Sequence, residues 1–508
     1  MAHRLTRGAR HAAGRLAAGV LLLAAGLLLV LAGARPDPPR VSPHAAGFVN
    51  ADRPGISNHN SPAVAVDPTR PSVVALVDRI DSPRFSCSVS LSTTGGETWK
   101  PLALPLPADA PNCFWPDVGF TADGRLLVLF TASGGRFNQP LGVWVQRFDG
   151  EQPAGPAVKL AGSEAFHAHL AVDGRRVLVA YVQTPPENAD RPLGFAPGPN
   201  PIMLMRSEDG GATFAGPVRV NDPGLRVAHP NVVVGPSGTV LVGALDYGDD
   251  VADYEGTHEG QAGPPPAGHW RVLAWRSTDG GATFGPTIVV AGGVVPPQRV
   301  VIDLAPGPSF AADPRRNRVY ATWDGGTGDG RDVFVSMSAD GGASWSAPAA
   351  IGPHPRGQLL PAVDVAADGR VDVVFYDRSR DPHDVLAQVR VGSSWDGGRT
   401  FTTGVVGGAL VDTRIGQGTV QAVPQLGNQL AVASGPARYL AFWAEATEEG
   451  DAGPGRNATA DVQDLAVATV DVHRRGNRSW ALLGLGAAVA AAGAALTLRR
   501  TTSSPPLA

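Results

Sequence analysis

Three shortages bound the reading of this chain of 508 residues. Cysteine is nearly missing: Cys87 and Cys113 are the only two, and their spacing offers no zinc signature. Charge of one sign is missing too. The net charge is −4, and no basic stretch is interleaved with aromatics, which argues against a nucleic-acid partner. Lysine is reduced to Lys100 and Lys159 against many arginines, a bias that, with the Ala/Gly/Pro excess, points to a GC-rich bacterial genome rather than to a function. Aromatics are sparse at 6%, whereas Gly (64) and Pro (46) abound, as turn-rich β structure requires. A hydrophobic content of 43% still supplies a large core.

What is present is a repeated phrase. It reads Ser207-Glu208-Asp209-Gly210-Gly211-Ala212-Thr213-Phe214, then Ser277-Thr278-Asp279-Gly280-Gly281-Ala282-Thr283-Phe284. It returns as Ser338-Ala339-Asp340-Gly341-Gly342-Ala343-Ser344-Trp345 and as Ser394-Trp395-Asp396-Gly397-Gly398-Arg399-Thr400-Phe401. Ser92 to Trp99 is a looser copy, and Arg147-Phe148-Asp149-Gly150 a degenerate one. Asp-Gly and Gly-Gly supply the positive φ of a tight hairpin, and the Ser, Asp and Thr side chains can bond back to its backbone. The closing Phe or Trp buries apolar area between neighbouring sheets. These residues are read as structural.

The phrase resembles the Asp-box, or bacterial neuraminidase repeat, of sialidase-like β-propellers. The resemblance implies an all-β ring of four-stranded blades, with each box joining the third and fourth strands opposite the active face. Clean boxes recur about every 60 to 70 residues, as stacked supersecondary units do. Seven β-rich strand pairs, from Ala63–Val77 to Leu430–Trp443, give seven blades, with six as the alternative. The seventh lacks a box after its third strand, Asp464 to Val472. Gly47-Phe48-Val49, at the other end of the chain, is expected to complete it and remove its exposed edge.

The ends carry the only long apolar runs. Arg4, Arg7, Arg10 and Arg15 precede Leu16 to Ala34, which reads as a signal peptide or signal anchor over residues 1–34. A linker (35–45) leads to the propeller (46–472). A short stalk (473–479), an apolar span (480–498) with the length of a transmembrane helix, and a cytoplasmic tail (499–508) follow. The chain is thus expected to be exported and held at the cell membrane by a single pass, its oligomeric state open. Both cysteines fall in the exported part, where a Cys87–Cys113 disulfide is permitted; two separate thiols is the alternative.

Chemistry is expected at one mouth of the central channel. Aligned on the turn residue after each inner strand, period-two alternation turns Asp117, His167, His169, His229, Asn231 and Asp364 toward the channel. Asp246 and Asp324 close second strands at the same mouth. These eight are the candidate ligand-binding residues. The three histidines and two carboxylates are of metal-binding type, yet a water-filled polar channel is the plainer reading of them, so no metal is assigned. The loop holding Asp246, Asp249, Asp250, Asp253, Glu255, His258 and Glu259 offers a calcium site or a solvated acidic loop, without calcium-hand spacing. No other cofactor is expected.

In sialidases, three arginines hold the substrate carboxylate and a Tyr/Glu pair with an Asp does the chemistry. Stand-ins here, by type and loop position, are Arg79, Arg299 and Arg378 for the arginines and Tyr376 with Glu445 for the pair, with Asp377 beside them. The family's Arg-Ile-Pro phrase is missing; Arg53-Pro54-Gly55-Ile56 is a distant echo. The expectation is therefore a propeller that recognises a ligand, a glycan first among them. A sialidase or other glycoside hydrolase is the alternative, and a protein-interaction scaffold at the cell envelope the second alternative.

Overall fold

A computed structural model describes residues 39–49, 58–81, 84–134, 139–184, 199–248, 270–294, 307–327, 330–352, 357–383, 386–412, 426–447 and 462–474, with helical stretches within 17–28 and 485–495. Two units separate: the propeller, Val41–Val472, and the two chain ends, residues 1–40 and 473–508. Among the described residues no helix is long and apolar enough to cross a membrane.

The propeller has seven antiparallel sheets. Their inner strands are His59–Val66, Asn112–Phe120, Ala165–Asp173, Val227–Val234, Ser309–Ala312, Gln358–Val365 and Ala431–Ser434, for blades 1 to 7. Each inner strand contacts the next, and the seventh contacts the first, so the ring closes. Seven blades stand and six are excluded.

The closure uses the N-terminus as expected, but in two pieces. Arg40–Pro43 and Gly47–Phe48 both pair with Val462–His473, the third strand of blade 7. The first piece lies within what the sequence suggested was a linker.

Each blade interface holds its own apolar cluster. Val77, Val118 and Phe120 sit between blades 1 and 2, and Val179, Leu127 and Leu170 between 2 and 3; the pattern continues to Leu76, Leu440 and Phe442 between 7 and 1. At blade 4, Gly243 is there for Phe310: a Cβ at Gly243 would lie 2.1 Å from that ring.

The repeated phrase folds one way at each of its four clean copies. Ser207 Oγ accepts the Gly211 N–H at 2.9 Å and donates to Asp209 at 2.8 Å. Asp209 then accepts the N–H groups of Ala212 and Thr213 and the Thr213 hydroxyl. Asp279, Asp340 and Asp396 repeat the hydroxyl bond at 2.6 Å, to Thr283, Ser344 and Thr400. Gly210 and Gly211 have φ of 74° and 79°, and each later pair does the same. Phe214, Phe284, Trp345 and Phe401 pack on the cluster shared with the preceding blade. The Gly210 N–H bonds Arg175 O, in the turn joining the first two strands of its blade, so these turns lie opposite the ends of the second strands. Asp149-Gly150 has decayed to a two-residue hairpin, Asp149 pairing with Gln152.

Candidate functional site

The inner strands do not alternate straight through. A bulge interrupts blades 1, 2, 3, 4 and 6, and its second-to-last residue has positive φ: Ser61 (51°), Trp115 (42°), His167 (48°), His229 (54°) and Leu360 (55°). Such φ strains a residue with a Cβ and persists only where the surroundings enforce it. Pairing resumes at Ala63, Asp117, His169, Asn231 and Ala362, which are therefore equivalent. Alignment on the turn residue had set Gly119 and Asp364 at that level. In blades 2 and 6 the bulge lies two residues further from the turn, and the level shifts with it.

Beyond the bulges lies the channel, a cavity of about 510 Å³ walled by all seven inner strands. Asp117, His167, His169, His229, Asn231 and Asp364 all line it. Several of them also join blades. Asp117 accepts the Leu170 N–H of the next blade at 2.7 Å, and His169 Nδ1 accepts that of Val232 at 3.2 Å. Ser309 accepts Val363 N–H at 3.2 Å, and Asp364 accepts Ser434 N–H at 2.7 Å. An inner strand presents an unpaired edge to the channel, and these side chains cap it. Burial pushes the Asp117 and Asp364 carboxyls up, against the bonds they accept.

An arc of rings runs from Phe85 beside blade 1 to His229 in blade 4, its Trp115, His167 and His229 lining the cavity. Phe85 meets Phe114 at 4.1 Å, and Phe114 meets Trp115 at 5.2 Å. Trp115 stands edge-on to His167 at 4.1 Å, and His167 stacks on His229 at 4.3 Å. A Cβ at Gly307 would lie 2.4 Å from His229 Cβ, so glycine there lets blade 5 close on the arc. Burial, then His229 and Arg79, hold the His167 imidazole well below its usual range; burial holds His229 down at about 4. Both rings are therefore neutral near pH 7. Trp115 Nε1, His229 Nε2, one amide atom of Asn231 and Asn428 Nδ2 are buried without a hydrogen-bond partner among the described residues. All four belong to residues that line the cavity.

The sialidase-type candidates are dispersed over other work. Tyr376 is fully buried in the cluster between blades 6 and 7, and its hydroxyl donates to Ala444 O at 2.7 Å. Burial, then the Glu445 carboxylate, hold that phenol well above its ordinary range, so it is a neutral donor. Glu445 accepts the Trp443 indole N–H at 2.5 Å. Burial raises its pKa, with Asp464, its cross-strand partner, adding to the rise. Asp377 is ion-paired with Arg390, and Asp246 with Arg271. Arg79 is buried and forked onto Asp81, at 2.6 and 3.0 Å, with Asn428 at 3.2 Å. Arg378 is buried against Gly357; Asp324 is buried opposite Val333 and does not close its strand, which runs on to Thr327 in a longer hairpin than the sequence suggested. Arg299 and the acidic residues 249–259 lie outside the described residues. Among the described residues no cluster of His, Cys, Asp and Glu could hold a metal ion.

Cys87 and Cys113 are joined, with Cα atoms 5.5 Å apart, tying the third strand of blade 1 to the strand that carries Trp115. Trp115 itself was missed by the sequence reading. Its signal is an X-Pro pair at four of the five bulges: Ser61-Pro62, Trp115-Pro116, His229-Pro230 and Leu360-Pro361. Proline within a sheet is confined to edges and bulges, and these pairs mark the bulges.

No family model matches the sequence, and no curated relative does. Among solved structures, a protein of unknown function from Dyadobacter fermentans is 14% identical, with 85% of this chain and 99% of that one covered and a TM-score of 0.45. An ulvan lyase is 12% identical, covers 80% and 93%, and scores 0.43. A Trypanosoma rangeli sialidase is 11% identical, covers 90% of this chain and 61% of its own, and scores 0.43. At these identities and scores no substrate or activity transfers.

Proposed function

We propose that this chain is an exported, membrane-held recognition propeller that binds a hydroxyl-rich ligand of carbohydrate type at the mouth of its channel without cleaving it. The observation that carries the reading is a cavity of about 510 Å³ walled by all seven inner strands and lined by Trp115, His167, His169, His229 and Asn231. A concave site that sets a few polar side chains and aromatic rings among apolar ones is the usual form of a small-ligand site. Sugar hydroxyls both donate and accept, and sugar C–H faces pack on aromatic rings. A volume of about 510 Å³ suits one or two sugar rings. The apolar runs at 16–34 and 480–498 support export and anchoring. Glycan-array binding by the full chain tests the reading. Defined glycans should be retained and lost in Trp115→Ala; a folded protein that retains none contradicts it.

One observation favours a hydrolase as the second reading. Glu445 and Asp464 face each other across a ladder, and burial raises Glu445, the arrangement that keeps one carboxyl protonated as a general acid. Turnover of fluorogenic glycosides that disappears in Glu445→Gln would establish it. Turnover unchanged by that substitution, or no turnover, removes it.

A further inference from the structure

The wall of the channel carries charge of one sign. Among the described residues that line it, Asp117 and Asp364 are carboxylates, and there is no arginine or lysine. Neither carboxylate is sealed off: the Asp117 side chain keeps 13% of its surface exposed, and Asp364 is half-buried. They stand in blades 2 and 6, on opposite sides of the ring. Asp117 accepts the Val118 N–H on one oxygen at 2.8 Å and the Leu170 N–H on the other at 2.7 Å. Asp364 does the same with the Val365 N–H at 2.8 Å and the Ser434 N–H at 2.7 Å. A donor on each oxygen favours the ionised form, against the burial that raises both carboxyls.

Nothing positive on the wall offsets them. His169 Nδ1 accepts the Val232 N–H, and an imidazolium has no acceptor, so this ring is neutral. His167 and His229 are held neutral by burial. The charges behind the wall cancel in pairs: Arg79 is forked onto Asp81, and Arg370 onto Asp372. An enclosed cleft lined by one sign of charge, with low-dielectric walls, focuses the field on the space inside it.

We infer that the channel selects its ligand by charge, taking a sugar that bears a protonated amine in preference to a neutral one and turning away uronic acids. This rests on the carbohydrate reading of the channel. An ammonium group brings donors and no acceptor, which suits a wall whose exposed carboxylates can only accept. A uronic acid brings a further negative charge into a partly desolvated space where no guanidinium or ammonium on the wall can pair with it. Asp117 and Asp364 are thus specificity residues as well as links between blades.

Titration calorimetry of the full-length chain at neutral pH tests this with two series of probes that differ at a single group. One is methyl glucoside, the same glycoside with its primary hydroxyl replaced by an amino group, and methyl glucuronide; the other is the matching galactose set. Within a series the amine should bind about tenfold more tightly than the hydroxyl parent, and the uronide about tenfold more weakly. Acetylating the amine, which removes its charge, should abolish the gain. Asp117→Asn and Asp364→Asn each remove one charge, so in either variant the advantage of amine over hydroxyl should shrink to about threefold. Each variant also sets an NH2 group against a backbone N–H and loses stability, so the ratio within a series is read and not the affinity. An amine that binds no more tightly than its hydroxyl parent, a uronide that binds as tightly, or an advantage unchanged in both variants overturns the charge selection and leaves the carbohydrate reading standing. A folded chain that binds no member of either series overturns both.

Discussion

Asp372→Ala should be among the most damaging single substitutions in the propeller, although it is far from the ring arc. Arg370 and Asp372 are both fully buried on blade 6. Three N–H···O bonds join them, at 2.8, 3.0 and 2.9 Å. The same guanidinium donates to Gly435 O at 2.7 Å and Pro436 O at 3.0 Å in blade 7, while Asp372 accepts the Ser393 and Ser434 hydroxyls, both at 2.7 Å. Burial pushes the Asp372 carboxyl up, and the bonds from Arg370 pull against it. Removing the carboxylate leaves a guanidinium in the interior without a counter-charge, at a cost of about 3–5 kcal/mol. Unfolding entropy is about 2.1 cal/mol/K per residue, so the propeller unit gains about 0.9 kcal/mol per kelvin and should melt about 4 °C lower. Replacing both partners, Arg370→Met with Asp372→Leu, removes the stranded charge and should recover most of the loss. Differential scanning calorimetry on the three proteins decides the matter. A single variant that melts within about 1 °C of the parent, or a double variant worse than the single, refutes the reasoning.

Other outcomes follow from the same structure. Gly243→Ala should cost about 1–3 kcal/mol through overpacking on Phe310, seen as a lower urea midpoint, and Phe310→Leu in the same chain should restore part of it. Cys87→Ala with Cys113→Ala opens a loop spanning 26 positions and should cost about 3 kcal/mol; equal urea midpoints for bonded and substituted chains would contradict this. His229 is held at about 4 in the folded chain against 6.5 for the free imidazole. Between those values the unfolded chain binds a proton that the folded chain refuses, so the His229 contribution to stability should fall as pH drops from about 6.5 to about 4 and stay constant below, where the lowered Asp-box carboxyls take over the loss. His229→Gln should shallow that slope, and an identical pH profile would count against a buried neutral ring.

The blade count and the ring closure were legible because each rests on a local rule. Asp209-Gly210-Gly211 and its copies can only be hairpins, and a blade without a box needs a strand from elsewhere. Gly47-Phe48 was readable as that strand; Arg40–Pro43, four residues with no glycine turn beside them, was not. The levels of the channel residues were not legible from period two, since a bulge adds a residue that the period does not count. The proline pairs at Pro62, Pro116, Pro230 and Pro361 held that information for four of the five bulges, and the blade 3 bulge, His167-Ala168, has no proline. The catalytic stand-ins were chosen by residue type and loop position, which cannot show that Tyr376 points between blades or that Arg79 already has Asp81. Orphaned atoms such as His229 Nε2 have no signature in sequence, because a missing partner is a property of packing alone.

Saturation-transfer NMR on the full-length chain with a mixture of neutral methyl glycosides, followed for a day, tests the central claim most directly. The account predicts transfer to the ring protons of at least one glycoside, loss of that transfer in Trp115→Ala, and no free sugar at the end. No transfer to any glycoside from a folded chain, or the steady appearance of released sugar, would contradict it.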